Sequence, residues 1–392
     1  MLLDLLGILI LIFWLSRWPH FSRRALRDLP QARTPAQHPH VSLIVAARDE
    51  AAAIESNVRS LLSQNYPQIE LIVVNDRSTD ATTIILDRLA LEYPSLRVVH
   101  NQELPEGWLG KCWALHRGSQ LARGEWLLFC DGDVVMEKTA LEQAIATAES
   151  EGLDHLCMAP RLVCSSWWQE TVITSLTFLF FVFQDPRHVF DPRKLQAYMG
   201  VGAFNMIRRS LYEKLGGHET LRMEIVDDVF LGMLAKRHGG RSGFFLGLEQ
   251  ASIHWYPSLW DYITGLEKNS FAGLRFSVGL LAFAIVGQIL VFHLPLMMVF
   301  FAEGWRMILW LSSVLLAHIY FAFICFRSQV SLDKAMGLTP AILIQFFAFV
   351  RSAAITLQQG GVRWRGSFYS LHQLRQAQRE LRGPLGRWLG WP

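Results

Sequence analysis

Glu125-Trp-Leu-Leu-Phe-Cys-Asp-Gly-Asp133 decides the reading of this chain. An apolar run of strand length ends in two carboxylates one residue apart. In an extended chain alternate side chains share a face, so Asp131 and Asp133 can converge. Two hard oxygen donors at the end of a buried strand suit Mg²⁺ or Mn²⁺ shared with phosphate oxygens. Asp and Gly are also common turn residues, so the weight of the pair depends on its surroundings.

Those surroundings alternate strand and helix. Val41-Ser-Leu-Ile-Val-Ala46 reads as a buried parallel strand, and residues 51–64 as a helix with Ile54, Val58, Leu61 and Leu62 on one face. Strands are expected at 70–75, 96–100 and 126–130. Helices are expected at 79–93, capped by Ser78 or Thr79, and at 111–122. This order calls for an α/β domain with an open, mostly parallel sheet covered by helices. Ligands of such sheets sit at the carboxyl ends of the strands. Asp49, Asp76, Asp131 and Asp133 all fall there. The first strand is followed by Ala-Ala-Arg-Asp-Glu50 and by no glycine-rich phosphate loop. That argues against a dinucleotide oxidoreductase and a P-loop NTPase.

The 392 residues are 51% hydrophobic and 18% charged, a mixture that fits a soluble catalytic domain joined to membrane segments. A net charge of +3 gives no general reason to expect nucleic acid. Basic residues gather at Arg17–Arg27 and Arg351–Arg387, beside apolar segments, as at the cytoplasmic face of a membrane. The five cysteines have no metal-ligand or redox spacing and read as reduced thiols.

The apolar run Leu5–Leu15 is short against the ~20 residues of a full span, and residues 1–17 are expected to be an N-terminal membrane anchor. Residues 18–39 form a basic linker, and 40–270 a cytoplasmic catalytic domain. Residues 271–358 carry membrane helices, and 359–392 a basic cytoplasmic tail. Phe276–Phe301 and Trp305–Phe326 are long enough to cross. Leu338–Val350 is short, and a crossing there would put the basic tail outside, so a re-entrant or interfacial segment is expected. The aromatic stretch 167–190 reads as an amphipathic segment in the interface. An ordinary core helix is the alternative.

Beyond these readings, the chain resembles the membrane-bound inverting glycosyltransferases of family 2, which have the GT-A fold. The matching pieces, in order, are 41–50, 71–80, Gly107-Trp-Leu-Gly-Lys111, 124–133, Val226-Asp-Asp-Val-Phe-Leu-Gly232 and Lys268-Asn269. Pro105–Ala114 and Trp364-Arg-Gly-Ser-Phe-Tyr369 resemble the branch associated with carotenoid, hopanoid and other lipid acceptors. The resemblance implies that Asp49 and Asp76 contact the base and ribose of a sugar nucleotide, UDP-linked for preference. It implies that Lys111 and Asp131 lie by the donor, and that Asp131 and Asp133 hold Mg²⁺ or Mn²⁺. Asp228 would be the general base, with Asp227 in the place of a commoner Glu. His254, Trp255, Lys268, Asn269, Trp364 and Arg365 are candidates for acceptor or membrane contact.

The implied reaction moves one sugar to a lipid or isoprenoid acceptor at the inner (plasma) membrane. No Gln-x-x-Arg-Trp string follows the base, which disfavours a processive polysaccharide synthase. The complete set of acids disfavours an inactive sugar-nucleotide-binding scaffold.

Overall fold

The computed structural model describes residues 2–31 and 34–388. The first residue of the expected anchor, two residues of the linker and the last four of the tail lie outside these. The chain forms two compact units, each assembled from separate segments.

The first to consider comprises 27–163, 188–255 and the C-terminal residues from 361. Its sheet has eight strands: β1 (Val41–Ala47), β2 (Ile69–Asp76), β3 (Leu96–Asn101), β4 (Trp126–Asp131), β5 (Val134–Met136), β6 (His155–Leu162), β7 (Asn205–Arg208) and β8 (Ser242–Ile253). Their order is β3-β2-β1-β4-β7-β6-β8-β5. The β3-β2-β1-β4 half is parallel, and β7 joins β4 antiparallel. In β1, Leu43 and Val45 enter one apolar cluster while Ile44 enters another. A strand buried on both faces reads as an unbroken apolar run, which is why β1, β2 and β4 were legible in the sequence. β5 and β7 are only three and four residues long, and a register shift at Pro160/Arg161 interrupts the pairing of β6 with β8. Their hydrophobic pattern is correspondingly weak.

The helices begin later than expected, at Ile54 and Thr82. Neither Ser78 nor Thr79 caps the second. Ser78 Oγ accepts the N–H of Asp49, and Thr79 N–H donates to Asp49 Oδ1 at 2.7 Å. The cap position is Ala81, and Asp80 before it accepts from Thr82 N–H at 2.9 Å.

The basic tail is part of this unit. Residues 361–370 form a hairpin of β9 (Gly361–Trp364) and β10 (Ser367–Ser370), followed by the helix Leu371–Trp388. The pairing Trp364↔Ser367 leaves a two-residue turn with positive φ at Arg365 (48°) and Gly366 (77°), the type I′ geometry of tight hairpins. Val362, Tyr369 and Leu374 are buried. Their burial makes the tail a folded element, which its charge had hidden.

The other unit holds residues up to 26, 164–187 and 256–360. Residues 164–187 and 256–270, expected within a continuous catalytic domain, therefore belong to a helical body. Its helices are Leu2–Ser16, Trp167–Phe183, Leu259–Gly273, Val278–Gln288, Leu294–Val299, Trp305–Arg327 and Leu338–Gln359. Trp14 is fully buried against Phe178, Phe292 and Tyr320. Outward residues such as Phe283, Phe300 and Ile308 stay exposed, an apolar exterior that suits lipid. The helix Trp167–Phe183 starts at a Ser166 cap and buries residues on most of its circumference, the pattern of a core helix within this body.

Among the described residues, four segments are long and apolar enough to cross a membrane: Leu2–His20, Val278–Val299, Trp305–Arg327 and Leu332–Gln359. The last exceeds its apolar run because Arg351, which ends that run, pairs with Glu267 at 2.7 Å. Ser352 adds a hydrogen bond to the Glu267 carbonyl.

Candidate active site

The carboxyl ends of β1, β2 and β4 carry the expected acids, and their neighbours complete a charged rim. After β2, Asp76 is 2% exposed and accepts two hydrogen bonds from Arg77, at 3.1 and 2.8 Å. Arg48 lies 3.7 Å from the same carboxylate. Asp49 and Arg77 have positive φ, 53° and 56°. Such backbone strain in non-glycine residues gathers where a fold fixes a functional loop. Across this loop Arg365 donates to the carbonyls of Arg48 and Asp49 and to the Glu50 carboxylate. The Tyr369 hydroxyl accepts from Gly110 N–H at 3.3 Å.

Deeper in the unit, Lys111 Nζ is 2.8 Å from Asp131 and 3.4 Å from Asp227. Burial opposes its charge, but Asp131, Asp227 and Asp228 overcome that and hold the ammonium well above its ordinary range. Burial would likewise raise Asp227. The charge of Lys111, with His218 close by, outweighs it, and the carboxyl stays below the usual value. His218 is buried and lowered, so near neutral pH its uncharged ring bridges Asp227 (3.8 Å) and the Tyr212 hydroxyl (2.8 Å).

Asp228 behaves differently from its neighbour. Burial and the charge of Asp227 push it up to about 6. Its Oδ2 accepts from Gly202 N–H at 2.8 Å, and its Oδ1 from Val229 N–H at 2.9 Å. The two adjacent carboxyls thus have pKa values driven apart, a pattern that clusters at functional sites. Lys111, Asp131, Asp227 and Asp228 line one cavity with Gly202, Asn205 and His218.

Close backbone contact sets this geometry. A Cβ at Gly232 would overlap the Met199 carbonyl, and one at Gly200 the Asp228 carbonyl. Gly232→Ala is therefore expected to lower stability by roughly 1–3 kcal/mol through overpacking. Thermal unfolding in detergent reads this directly, and an unchanged melting temperature would refute the close packing.

Asp133 is raised to about 7 by burial, then by the charges of Asp131 and Glu50. Crowded carboxyls of this kind favour a bound cation. Among the described residues no group of three or more His, Cys, Asp or Glu is arranged to hold a metal. Asp131 and Asp133 would supply two carboxylates to an ion that takes its other ligands from phosphate and water.

The remaining candidates lie elsewhere. His254 is exposed just beyond β8, and Trp255 packs at the edge of the larger apolar cluster. Lys268 and Asn269 sit on the helix Leu259–Gly273, in the helical unit. Arg48, Glu50, Arg77, Tyr212 and His218 were not singled out from sequence. Arg48, Glu50 and Arg77 adjoin predicted acids, whereas no local signal marks Tyr212 or His218.

Residues 42–216 match the family model described as Glycosyl transferase family 2. A beta-monoglucosyldiacylglycerol synthase of Synechocystis sp. is 36% identical over 110 residues, covering 28% of this chain and 22% of that protein. Probable glycosyltransferase YdaM of Bacillus subtilis is 25% identical over 240 residues, covering 60% of this chain and 55% of that protein. The match thus spans under a quarter of the synthase and about half of YdaM. Among solved structures, mannosyltransferase PcManGT from Pyrobaculum calidifontis, in complex with GDP-Man and Mn²⁺, aligns with a TM-score of 0.54. That alignment has 19% identity and covers 90% of this chain and 98% of that one. It identifies the fold as GT-A-like.

Proposed function

This chain carries a glycosyltransferase family 2 domain, and from that premise we propose that it transfers a single sugar from a nucleotide-sugar donor to a membrane lipid or isoprenoid acceptor, with inversion. The observation that carries this reading is the divergent acid pair. Asp227 is neutralised by Lys111, while Asp228, raised to about 6, remains free to take a proton near neutral pH. Asp228 removes the proton of the acceptor hydroxyl as that oxygen attacks the anomeric carbon from the face opposite the leaving nucleotide. Gly202 N–H holds the carboxylate in place. Lys111 sets a positive charge beside Asp131, where it can meet a diphosphate. Asp131 and Asp133 would hold Mg²⁺ or Mn²⁺, whose charge stabilises the leaving diphosphate when bound. Asp49 and Asp76 line the donor's nucleoside end, and a UDP-linked donor is preferred.

The lipid acceptor is supported by the glucosyldiacylglycerol synthase likeness and by the apolar exterior of the helical unit. Topology supports a catalytic unit and a tail on one side of the membrane. The chain leaves the catalytic unit after Trp255 and rejoins it at Gly361, so the segments between cross an even number of times. Three candidate spans lie there, and an even count is met if two of them cross and Leu332–Gln359 is re-entrant or interfacial. The single helix Trp167–Phe183 also leaves and rejoins that unit, so it does not cross. Excess Lys and Arg beside these segments supports a cytoplasmic position for that side, and an inner-membrane location is the reading that goes with it.

The test is turnover by the detergent-purified protein with UDP- and GDP-sugars, Mg²⁺ or Mn²⁺, and total lipid extract. A monoglycosylated lipid is expected, lost on EDTA treatment and restored by the divalent ion. Product that survives EDTA would remove the metal from the scheme. Polymer, or no lipid product at all, would overturn the acceptor reading.

A further inference from the structure

The helix Asp227–Arg237 carries Asp228, Gly232 and Lys236 at four-residue intervals, and so on one face. Segment 197–202 runs along that face in the opposite direction. The Ala197 carbonyl accepts from Lys236 Nζ at 2.7 Å. Met199 and Gly200 touch the helix backbone at Gly232 and Asp228. Gly202 N–H reaches the Asp228 carboxylate at 2.8 Å.

Lys236 is 2% exposed, and its ammonium faces more than Ala197. It also donates to the main-chain carbonyls of His188, Val189, Asp191 and Lys194, at 2.9, 3.0, 3.0 and 3.0 Å. An ammonium has three N–H bonds, so five acceptors must share them. Burial lowers the ammonium pKa to about 8 and Asp191 opposes this, so at neutral pH the group is a cation inside a carbonyl cage, the way carbonyls replace the hydration shell of a monovalent ion. The distances exceed the ~2.0–2.1 Å of Mg²⁺ and the ~2.3–2.6 Å of Ca²⁺, so the cage is sized for ammonium or a large monovalent ion.

We infer that Lys236 is a positioning residue for the base. It is a resident cation that gathers loop 188–197 and, through segment 197–202, aims the Asp228 carboxylate. The cage it fills is a latent monovalent-cation site that accepts K⁺ or NH₄⁺ once the side chain is removed. The positioning role rests on Asp228 acting as the base, whereas the cage does not.

The experiment compares full-length Lys236→Ala with wild type in KCl, NH₄Cl and choline chloride at equal ionic strength. Melting temperature and steady-state turnover of the glycolipid reaction are both measured. In K⁺ or NH₄⁺ the variant is expected to melt higher than in choline. Its kcat should recover about tenfold or more, as for a realigned catalytic group, while donor KM holds. Wild type should respond to none of the three. A variant that melts alike in all three salts overturns the cage. Cations that raise the melting temperature but not kcat overturn the positioning role. Should Lys236→Ala fail to fold, Lys236→Met decides: it is expected to fold, to lose kcat at unchanged KM and to ignore K⁺, and wild-type kcat would overturn the proposal. Wild-type turnover by Asp228→Asn would instead remove the base assignment and leave the melting comparison as the test of the cage.

Discussion

Asp228→Asn should lose turnover by about 10²–10⁴-fold, the contribution of a positioned base, while remaining folded. The amide oxygen can still accept one of the two main-chain hydrogen bonds now made by the carboxylate, from Gly202 and Val229. What is lost is the capacity to take a proton. The same assignment fixes a pH dependence. A base works when deprotonated, and Asp228 is raised to about 6. Wild-type kcat/KM should therefore fall as pH drops through about 6 and level off above it. Activity of Asp228→Asn within tenfold of wild type, or a flat profile between pH 5 and 7, would exclude Asp228 as the base.

Asp227→Ala should act first on stability. Its carboxylate is 3% exposed and stands between Lys111 and His218. Removing one member of a buried charge network leaves the others uncompensated, at a cost of about 3–5 kcal/mol. Turnover should collapse with it, because Lys111 loses one of the three carboxylates that hold its charge. The sign of the pH effect follows from the shift. Asp227 is held below its ordinary value, so its stabilisation is fully present above the unfolded-state pKa, near 3.9. It is lost as pH falls through the lower folded value. The gap in melting temperature between wild type and Asp227→Ala should persist from pH 8 down to about 5 and close only below about 4. Equal melting at pH 7 would show that Lys111 and His218 do not depend on this carboxylate.

These two neighbours show where sequence reading stops. Both acids lie in the first turn of one helix, where carboxylates are common as helix-dipole partners. Nothing local separates a neutralised anion from a base. The separation comes from Lys111, more than 100 positions earlier in the chain, and from Gly202, which arrives on another segment. Tyr212 and His218 are ordinary residues until folding packs them behind Asp227. Arg365 read equally as an acceptor or a membrane contact, because its partners, the carbonyls of Arg48 and Asp49 and the Glu50 carboxylate, are some 315 residues away.

The sequence by itself determined the parallel half of the sheet and the acids at its strand ends. Unbroken apolar runs define β1, β2 and β4, and parallel topology carries their carboxyl ends to one rim; Asp133 stands in the turn after β4, outside the strand period. Tertiary structure alone decided that the tail folds into the catalytic unit, that 164–187 and 256–270 belong to the helical one, and that Lys236 sits in a cage of carbonyls. Each of these depends on contacts between residues far apart in the chain, and periodicity within a segment carries no record of them.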